Sequence, residues 1–416
     1  MDRLPGFRDF YPEPLPHPDV WSADARQYIF DCWREIARRY GFREYDGPPL
    51  EPLDLYTLKS GDEIVGQLYN FIDKGDRPVS MRPEMTPTLA RMAAAHERNY
   101  KKPIKWFAVP QLFRYEKQQK GRLREHFQFN ADILGEAGPS ADAELLALLI
   151  DVLRIFKLTS EDFVVRLSSR NAWMEFFEKR CSDPGKSYEF FQIIDKLERE
   201  MPEESSKKLS AIGFSLNEVN DFIVAGKPTA ELESIVNNLS DRGLAEFVRI
   251  DYHVIRGLAY YTGVVFEAFD KKGEFRAIAG GGRYNNLVKL ISGGKVDMPA
   301  LGFGMGDVVL LELLKSRGLL PAFDSGIEAF CLIEDETLRG PSLKLVRHLR
   351  ESGYAVDYFF TPTKSDKQFK RAMELKARFT VKLEITAQQE LVVRMKNLQT
   401  REEKIVAPPD LPGLLG

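Results

Sequence analysis

The sequence is poor in the residues that build metal centres and disulfide frameworks. Its 416 residues include three cysteines and five histidines. Cys32, Cys181 and Cys331 lie far apart, and none belongs to a CxxC pair or has histidines at ligand spacing. The sequence therefore predicts neither a metal-ligand set nor a disulfide scaffold. It favours a reducing compartment, and the cytoplasm is the expected location.

Long apolar runs are also lacking. Met1 is followed by polar residues, and no stretch has the length of a signal peptide or a transmembrane helix. We therefore expect a soluble protein with no membrane partner. The net charge is −3, from 59 Lys+Arg and 62 Asp+Glu. This balance excludes a uniformly basic protein that coats nucleic acid, but it does not exclude a local basic groove.

Several catalytic motifs are missing as well. The chain has no Walker A lysine motif, no HExxH and no GxSxG, which excludes P-loop, zincin and α/β-hydrolase sites. The glycine-rich segment 302–306 lacks the strand–turn–helix setting and the downstream acidic residue of a dinucleotide site.

The residues that are present predict an ordered, mixed protein of two or three domains. Patterns predict helices at 18–40, 86–98 and 141–157 (with Ser140 as N-cap), a hairpin at 66–82, and strands at about 104–115 and 126–134. An acidic segment at about 171–248 predicts a helical insertion. Beyond a linker at 319–325, strands at 327–333, 354–360, 378–384 and 391–398 and helices at 340–352 and 366–376 predict a small α/β domain.

The densest basic segment spans residues 98–125, with nine Lys/Arg and two Glu. A solvated surface is one interpretation. However, Arg114 follows Phe113 in a predicted apolar strand, and a guanidinium there needs a carboxylate or phosphate partner. The adjoining loop 117–124 suits contacts with phosphate or a nucleic-acid backbone.

A second group combines RGLAYYTG at 256–263 with AGGGRY at 279–284. The glycines fit either a tight turn or a close backbone approach to a ligand, with Arg256 directed at an anion. With the carboxylates of Glu84 and Asp132, the two arginines fit a site for a nucleoside triphosphate and a cationic or amphoteric small molecule.

Ordered motifs along the whole chain resemble those of histidyl-tRNA synthetases, a class II aminoacyl-tRNA synthetase family. The resemblance covers LPGFRDFYP at the N-terminus, GFREYDGPPLEP as motif 1 ending at Pro48, RPEMTPTLAR as the histidine-binding segment, FRYEKQQKGRLREHFQFNADILG as motif 2, and IRGLAYYTGVVFE as the histidine-specific motif. The segment from about 327 resembles the anticodon-binding domain.

The resemblance implies an α+β fold. Residues 1–324 would form the class II antiparallel sheet flanked by helices, with the helical insertion at about 171–248, and residues 325–416 an α/β anticodon-binding domain. The implied enzyme is a histidine–tRNA ligase that uses ATP, with Mg²⁺ on the phosphates, and forms a histidyl-adenylate. Its partners would be L-histidine, ATP, histidine tRNA and a second copy of the chain. The first helix carries the apolar stripe Ile29, Trp33, Ile36 and Tyr40, which needs burial either against that copy or in the monomer core.

The resemblance also implies residue roles. Glu84, Thr86 and Gln128 would hold the α-amino group of histidine, Asp132 and Tyr261 would bind its imidazole beside Tyr260, and Gly280 and Gly281 would let the backbone close over the substrate. Arg114 would bind the α-phosphate of ATP, Arg256 would stabilise the charge that develops there, and Glu116, Arg122 and His126 would contact ATP or tRNA.

The chain departs from the family pattern at three places. Val309 stands where the motif 3 arginine stacks on adenine, Ala259 replaces an aspartate, and the motif 2 loop reads EKQQKGR. Two alternatives therefore accompany the enzyme: a histidine-sensing regulatory subunit like that of ATP phosphoribosyltransferase, and an inactive RNA binder. The regulatory subunits lack the C-terminal domain, whereas this chain has it, with seven Lys/Arg and two acids between Lys364 and Lys382.

Overall fold

The computed structural model describes residues 2–60, 62–115, 123–198, 200–255 and 260–415. The chain divides into two compact units. The first unit comprises Met1–Arg8 and Arg26–Leu320, and the second comprises Asp9–Ala25 and Pro321–Gly416. The sequence did not predict the grouping of Asp9–Ala25 with the C-terminal segment.

Strands and helices alternate irregularly along the chain. The strands are β1 (Phe10–Tyr11), β2 (Trp21–Ser22), β3 (Arg43–Glu44), β4 (Leu50–Pro52), β5 (Asn70–Ile72), β6 (Pro78–Met81), β7 (Ile104–Ala108), β8 (Gln111–Phe113), β9 (Glu125–Leu134), β10 (Phe163–Ser169), β11 (Val248–Ile250), β12 (Val264–Asp270), β13 (Ala279–Arg283), β14 (Ala300–Gly306), β15 (Ala329–Leu332), β16 (Val356–Tyr358), β17 (Phe379–Ile385), β18 (Leu391–Asn397) and β19 (Glu403–Val406). The helices are α1 (Ala23–Arg39), α2 (Asp54–Ser60), α3 (Thr86–Ala95), α4 (Pro139–Arg154), α5 (Arg170–Glu178), α6 (Ser187–Lys196), α7 (Pro202–Ala211), α8 (Leu216–Ala225), α9 (Ala230–Asp241), α10 (Leu287–Ile291), α11 (Asp307–Ser316), α12 (Arg339–Glu351), α13 (Ser365–Glu374) and α14 (Pro412–Leu415).

The first unit is built on one large sheet, in the order β11-β10-β12-β13-β14-β9-β7-β3, with β8 also paired to β9. The pairings from β10 through β7 are antiparallel, while β11 and β3 add parallel edges. The predicted antiparallel sheet is thus confirmed, although β10 was not among the predicted strands. A smaller sheet, β4-β6-β5, contains the predicted hairpin.

Strand β9 separates the site from the core by its alternation. Its odd-numbered residues from Phe129 to Ile133 are almost fully buried and apolar. Its even-numbered residues from His126 to Asp132 are all polar (His126, Gln128, Asn130 and Asp132), and they share the opposite face because side chains alternate along a strand. One strand therefore supplies both a hydrophobic core layer and a row of polar groups.

The structure decides one open alternative about the helices and corrects one expectation. The stripe on α1 is buried within the chain, since Ile29, Trp33 and Ile36 are each less than 5% exposed and Trp33 stacks on Phe129. The stripe therefore gives no evidence for a second subunit. Helix α4 begins at Pro139 with Gly138 as N-cap, not with Ser140, because proline is favoured in the first helical turn.

The helical insertion comprises α5 to α9. Its core is aromatic, with the rings of Trp173, Phe176, Phe190 and Phe222 packed together. This packing gives the insertion its own hydrophobic centre within the first unit.

The second unit contains a mixed sheet in the order β16-β15-β17-β18-β19. Strand β15 pairs in parallel with β16 and β17, and β17 to β19 are antiparallel. The predicted α/β character is confirmed, and β19 is an additional strand.

Cys32, Cys181 and Cys331 are free cysteines. Among the helices that the structure describes, none is long and apolar enough to span a bilayer.

Candidate functional site

Two adjoining cavities open on the polar face of the large sheet. The large cavity has a volume of about 740 Å³, which lies in the range of small-molecule sites. The small cavity has a volume of about 70 Å³. Four residues line both cavities: Arg114, Gln128, Gly280 and Gly304. A ligand in the small cavity would therefore meet a ligand in the large cavity at this group.

Glycines on β14 make room for the polar side chains of β9. In the register of the two strands, Gly302 lies opposite Asp132 and Gly304 opposite Asn130. A Cβ at Gly302 would overlap Oδ1 of Asp132, and one at Gly304 would overlap the Gln128 amide. The glycines are therefore needed for close approach, and not for an unusual backbone conformation.

The wall of the small cavity combines the entry to α3 with two loop tyrosines. Glu84 and Thr86 are both less than 10% exposed. The hydroxyl of Tyr260 donates to Oε2 of Glu84 over 3.3 Å. Nε of Arg114 donates to the carbonyl of Pro83 over 3.0 Å, which fixes the guanidinium between the cavities. The sequence predicted Arg114 within a strand, but it lies just after the end of β8.

Asp132 lies behind the wall of the small cavity. The hydroxyl of Tyr284, which lines the cavity, donates to Oδ1 of Asp132 over 2.6 Å. Among the described residues, Oδ2 finds no hydrogen-bond partner. Burial raises the pKa of Asp132 to about 7, although the bond from Tyr284 opposes the shift. The carboxyl can therefore gain or lose a proton near neutral pH.

Amide and imidazole groups connect the two cavities along β9. Nε2 of Gln128 donates to Oδ1 of Asn130 over 2.9 Å, and Oε1 of Gln128 lies 3.2 Å from Nε2 of His126. The amide of Gln128 is thus held by its neighbours on either side, with His126 at the large cavity and Asn130 at the small one.

The helical insertion contributes to the large cavity. Asp195, near the end of α6, and Glu198, just after it, lie on the cavity wall together with His253. Glu198 pairs with Arg166 over 3.1 Å, and Arg166 also approaches Asp251 over 3.5 Å. The hydrogen bond to Asp251 raises the pKa of His253. The insertion therefore forms part of the cavity and is not a separate appendage.

A buried ionic cluster joins the strand and the helix whose residues His126 and Val308 line the large cavity. Arg8 donates to Glu125 at the start of β9 over 2.6 Å and to Asp307 at the start of α11 over 2.8 Å. Asp307 also accepts the backbone N–H of Phe127 over 3.0 Å. All three charged side chains are less than 10% exposed. The cluster ties the first turn of α11 to β9.

Most of the sequence-predicted site residues lie at these cavities. The residues that line one or both are Glu84, Thr86, Arg114, His126, Gln128, Tyr260, Tyr261 and Gly280. Asp132 lies one layer behind. Gly281 lies on the opposite face of β13, where a Cβ would overlap the carbonyl of Gly302 and contact Phe303. Arg256, Glu116 and Arg122 lie outside the described residues.

Sequence reasoning missed several lining residues. Asn130 was detectable, because it continues the row of alternate polar residues on β9. Tyr284 belongs to the AGGGRY motif that the sequence singled out, although no role was assigned to it. Arg276 and Glu267 line the large cavity but had no such signal, since the register of distant strands places them there.

The described part of the chain contains no group of three or more His, Cys, Asp or Glu that could hold a metal ion. Single carboxylates do line the large cavity, among them Glu267, which lies opposite Gly280 in the register of β12 and β13. A divalent cation there would need additional oxygen ligands.

Comparison with known proteins gives a consistent result. The sequence model of the family described as histidyl-tRNA synthetase matches residues 19–307. The chain is 43% identical to the histidine–tRNA ligase of Opitutus terrae, over 96% of this chain and 94% of that protein. It is 36% identical to the chloroplastic/mitochondrial histidine–tRNA ligase of Arabidopsis thaliana, over 98% of this chain and 85% of that protein. In fold it resembles the histidyl-tRNA synthetase of Nostoc sp. PCC 7120, with a TM-score of 0.77 and 23% identity over 94% of this chain and 95% of that one.

Proposed function

Because this chain belongs to the histidyl-tRNA synthetase family, we propose that it activates histidine at the boundary of the two cavities. The protein is an enzyme, a histidine–tRNA ligase that uses ATP. The observation that carries the proposed site is the set of four residues shared by the two cavities. A site that joins an amino acid to a nucleotide needs such a common boundary.

Histidine occupies the small cavity in this proposal. The carboxylate of Glu84 and the side-chain oxygens of Thr86 and Gln128 bind its α-amino group. The buried Glu84 is suited to an ammonium group because a charge-assisted hydrogen bond is strong in a site with little water.

The imidazole is recognised at the inner end of the small cavity. Asp132 accepts a hydrogen bond from the Tyr284 hydroxyl, so that the oxygen of Tyr284 remains free to accept a hydrogen bond from an imidazole N–H. Tyr261, with Tyr260 beside it, covers the other side of the ring. Paired polar groups reject an amino acid without matching donors, because the buried groups would lose their partners.

ATP occupies the large cavity, with its α-phosphate at Arg114 and its base toward His126. Gly280 lets the backbone approach the substrates closely, and Gly281 keeps β13 packed on β14. From the family resemblance alone, Arg256 stabilises charge on the α-phosphate, and Glu116 and Arg122 contact ATP or the acceptor end of tRNA.

The reaction needs alignment more than proton transfer. A carboxylate oxygen of histidine forms a bond to the α-phosphorus, and the bond from that phosphorus to the pyrophosphate oxygen breaks. The carboxylate is already ionised, so no general base is required. Arg114 supplies a fixed positive charge where negative charge builds up, and the shared boundary holds the reactants in line. A ribose hydroxyl at the 3′ end of tRNA then attacks the carbonyl carbon of the adenylate. The bond from that carbon to the phosphate oxygen breaks, AMP leaves, and the hydroxyl proton is released to the phosphate oxygen or to water.

Mg²⁺ fits the large cavity as a cation carried by the triphosphate. Glu267 would provide one carboxylate, and phosphate oxygens and water would provide the remaining ligands. When bound, the ion neutralises phosphate charge. Glu267 keeps a negative side chain beside that position.

We also propose the domain roles and the assembly. Residues 1–324 form the catalytic domain and 325–416 bind the anticodon through the basic segment 364–382. The enzyme is a cytoplasmic homodimer, and a partner copy would cover the exposed apolar side chains of the small sheet and α2, which are Leu50, Leu58, Phe71 and Ile72. The regulatory-subunit and RNA-binder alternatives are not favoured, since the relatives aligned over nearly the whole chain are ligases.

The test is histidine-dependent exchange of pyrophosphate into ATP, followed by charging of histidine tRNA. We expect exchange with L-histidine and none with the other amino acids. If ATP and histidine at saturation gave no exchange, the proposed site chemistry would be wrong.

A further inference from the structure

The purine end of the large cavity can be located from its boundary with the small one. The residues that line both cavities mark the reacting end of the nucleotide. The base must then lie among residues that line only the large cavity, which include His126, Val308, Val309 and Arg276.

The first turn of α11 offers this region no cation. Val308 and Val309 present branched apolar side chains to the cavity. Asp307 is buried and is occupied by Arg8 and by the N–H of Phe127. The helix can therefore provide an apolar surface for one face of a purine, but it provides no charge to hold the other face.

The register of the sheet brings Arg276 to the same place. Ala279, the first residue of β13, lies opposite Met305 near the end of β14. Because the two strands are antiparallel, the residues just before Ala279 lie at the same end of the strand pair as Gly306 and the start of α11. The N–H of Ile278 donates to Ala268 over 2.8 Å, so the chain beside Arg276 is anchored to the sheet.

Arg114 and Arg276 are the two arginines among the described residues that line the large cavity. Arg114 also lines the small cavity and is held by Pro83, which places it at the phosphate end. Arg276 lines only the large cavity and not the small one, and it is exposed to solvent. A planar guanidinium stacks well on an aromatic face.

We propose that Arg276 covers the adenine ring of ATP. It would take the place of the motif 3 arginine, whose position in this chain is occupied by Val309. The proposal rests on ATP binding in the large cavity. It assigns Arg276 to the base, Arg114 to the α-phosphate, and Val309 to the apolar side of the base pocket.

The test compares Arg276→Ala with the unchanged protein. From the usual strength of a cation–π contact, we expect the KM for ATP in pyrophosphate exchange to rise about 2- to 30-fold, with the KM for histidine unchanged. Inhibition by adenosine should weaken by a similar factor, while inhibition by tripolyphosphate should not change. Adding Val309→Arg to the Arg276→Ala protein should restore adenosine inhibition.

Lys272→Ala is the matched control, because it removes one positive charge from the exposed turn after β12 and Lys272 does not line the cavity. It should leave both inhibition constants unchanged. The proposal is overturned if Arg276→Ala leaves inhibition by adenosine intact, or if it weakens inhibition by tripolyphosphate instead. Calorimetry can also compare ATP binding by the unchanged protein and by Arg276→Ala. It tests the role of Arg276 even if the unchanged protein shows no exchange, so failure of this proposal can be told apart from failure of the proposed function.

Discussion

The hydroxyl of Tyr284 donates a hydrogen bond of 2.6 Å to Oδ1 of Asp132, although 152 positions separate them in the chain. Tyr284 faces the small cavity and Asp132 lies behind it. The pair is therefore a polar relay from the interior of the sheet to the proposed imidazole site, and it makes the role of each residue testable.

Asp132→Asn should impair histidine binding selectively. The amide alters the acceptor that orients Tyr284, and a mismatched buried hydrogen bond costs about 1–3 kcal/mol. We expect the KM for histidine in pyrophosphate exchange to rise roughly 10- to 100-fold, with little change for ATP. Asp297→Asn, at an exposed pair with Lys289, is the control. Equal losses for histidine and ATP would show that Asp132 has a general structural role.

The same substitution should change the pH dependence of stability. The pKa of Asp132 is raised from 3.8 to about 7, so ionisation in the folded protein is unfavourable. This ionisation lowers the free energy of unfolding. The loss is absent below the pKa of Asp132 in the unfolded chain, grows as the pH rises toward 7, and is then constant at about 4 kcal/mol. Asp132→Asn should therefore raise the Tm more at pH 8 than at pH 5. A difference that did not depend on pH would contradict the assignment.

Arg8→Met should destabilise the first unit strongly. It leaves the buried carboxylates of Glu125 and Asp307 without their cation, and breaking such a pair costs about 3–5 kcal/mol. Urea unfolding should show this loss. Arg34→Met, which breaks a partly exposed pair with Glu44, should cost less than about 1 kcal/mol. Similar losses in both variants would mean that burial of the cluster is unimportant.

Glu267→Gln should raise the Mg²⁺ concentration needed for half-maximal exchange, because the large cavity loses a negative ligand while the amide keeps the shape. The KM for histidine should not change. Glu274→Gln provides the control, because it makes the same change at an exposed carboxylate that pairs with Arg317. If the Mg²⁺ requirement stayed the same, Glu267 would have no part in holding the ion.

Replacing Lys364, Lys367 and Lys370 by alanine should raise the KM for tRNA in aminoacylation without affecting pyrophosphate exchange. Each lost phosphate contact lowers the slope of log affinity against log salt by about 0.7–0.9, so the slope should fall by roughly 2. Alanine at Lys344, Arg347 and Lys404 removes the same charge elsewhere in the second unit. An equal effect of the two triple variants would argue against an anticodon site at 364–382.

The sequence by itself determined the family and many of the helices and strands. The alternation along β9 already separates Phe129 and Ala131 from Gln128 and Asn130, because a period of two assigns the two faces of a strand. The helical pattern predicted α3, α12 and α13, and ordered motifs indicated the catalytic residues around Arg114. Local periodicity is enough for such conclusions, since it needs only neighbouring residues.

The tertiary structure decided how distant segments meet. The contact between Arg8 and Asp307 joins residues 299 positions apart. The placement of Arg276 on the same cavity as the first turn of α11 depends on the register of β13 and β14. The stripe on α1 could have faced a partner or the core, and only packing against Phe129 places it in the core. Contacts of this kind depend on strand order and register across the whole sheet, which no local pattern in the sequence specifies.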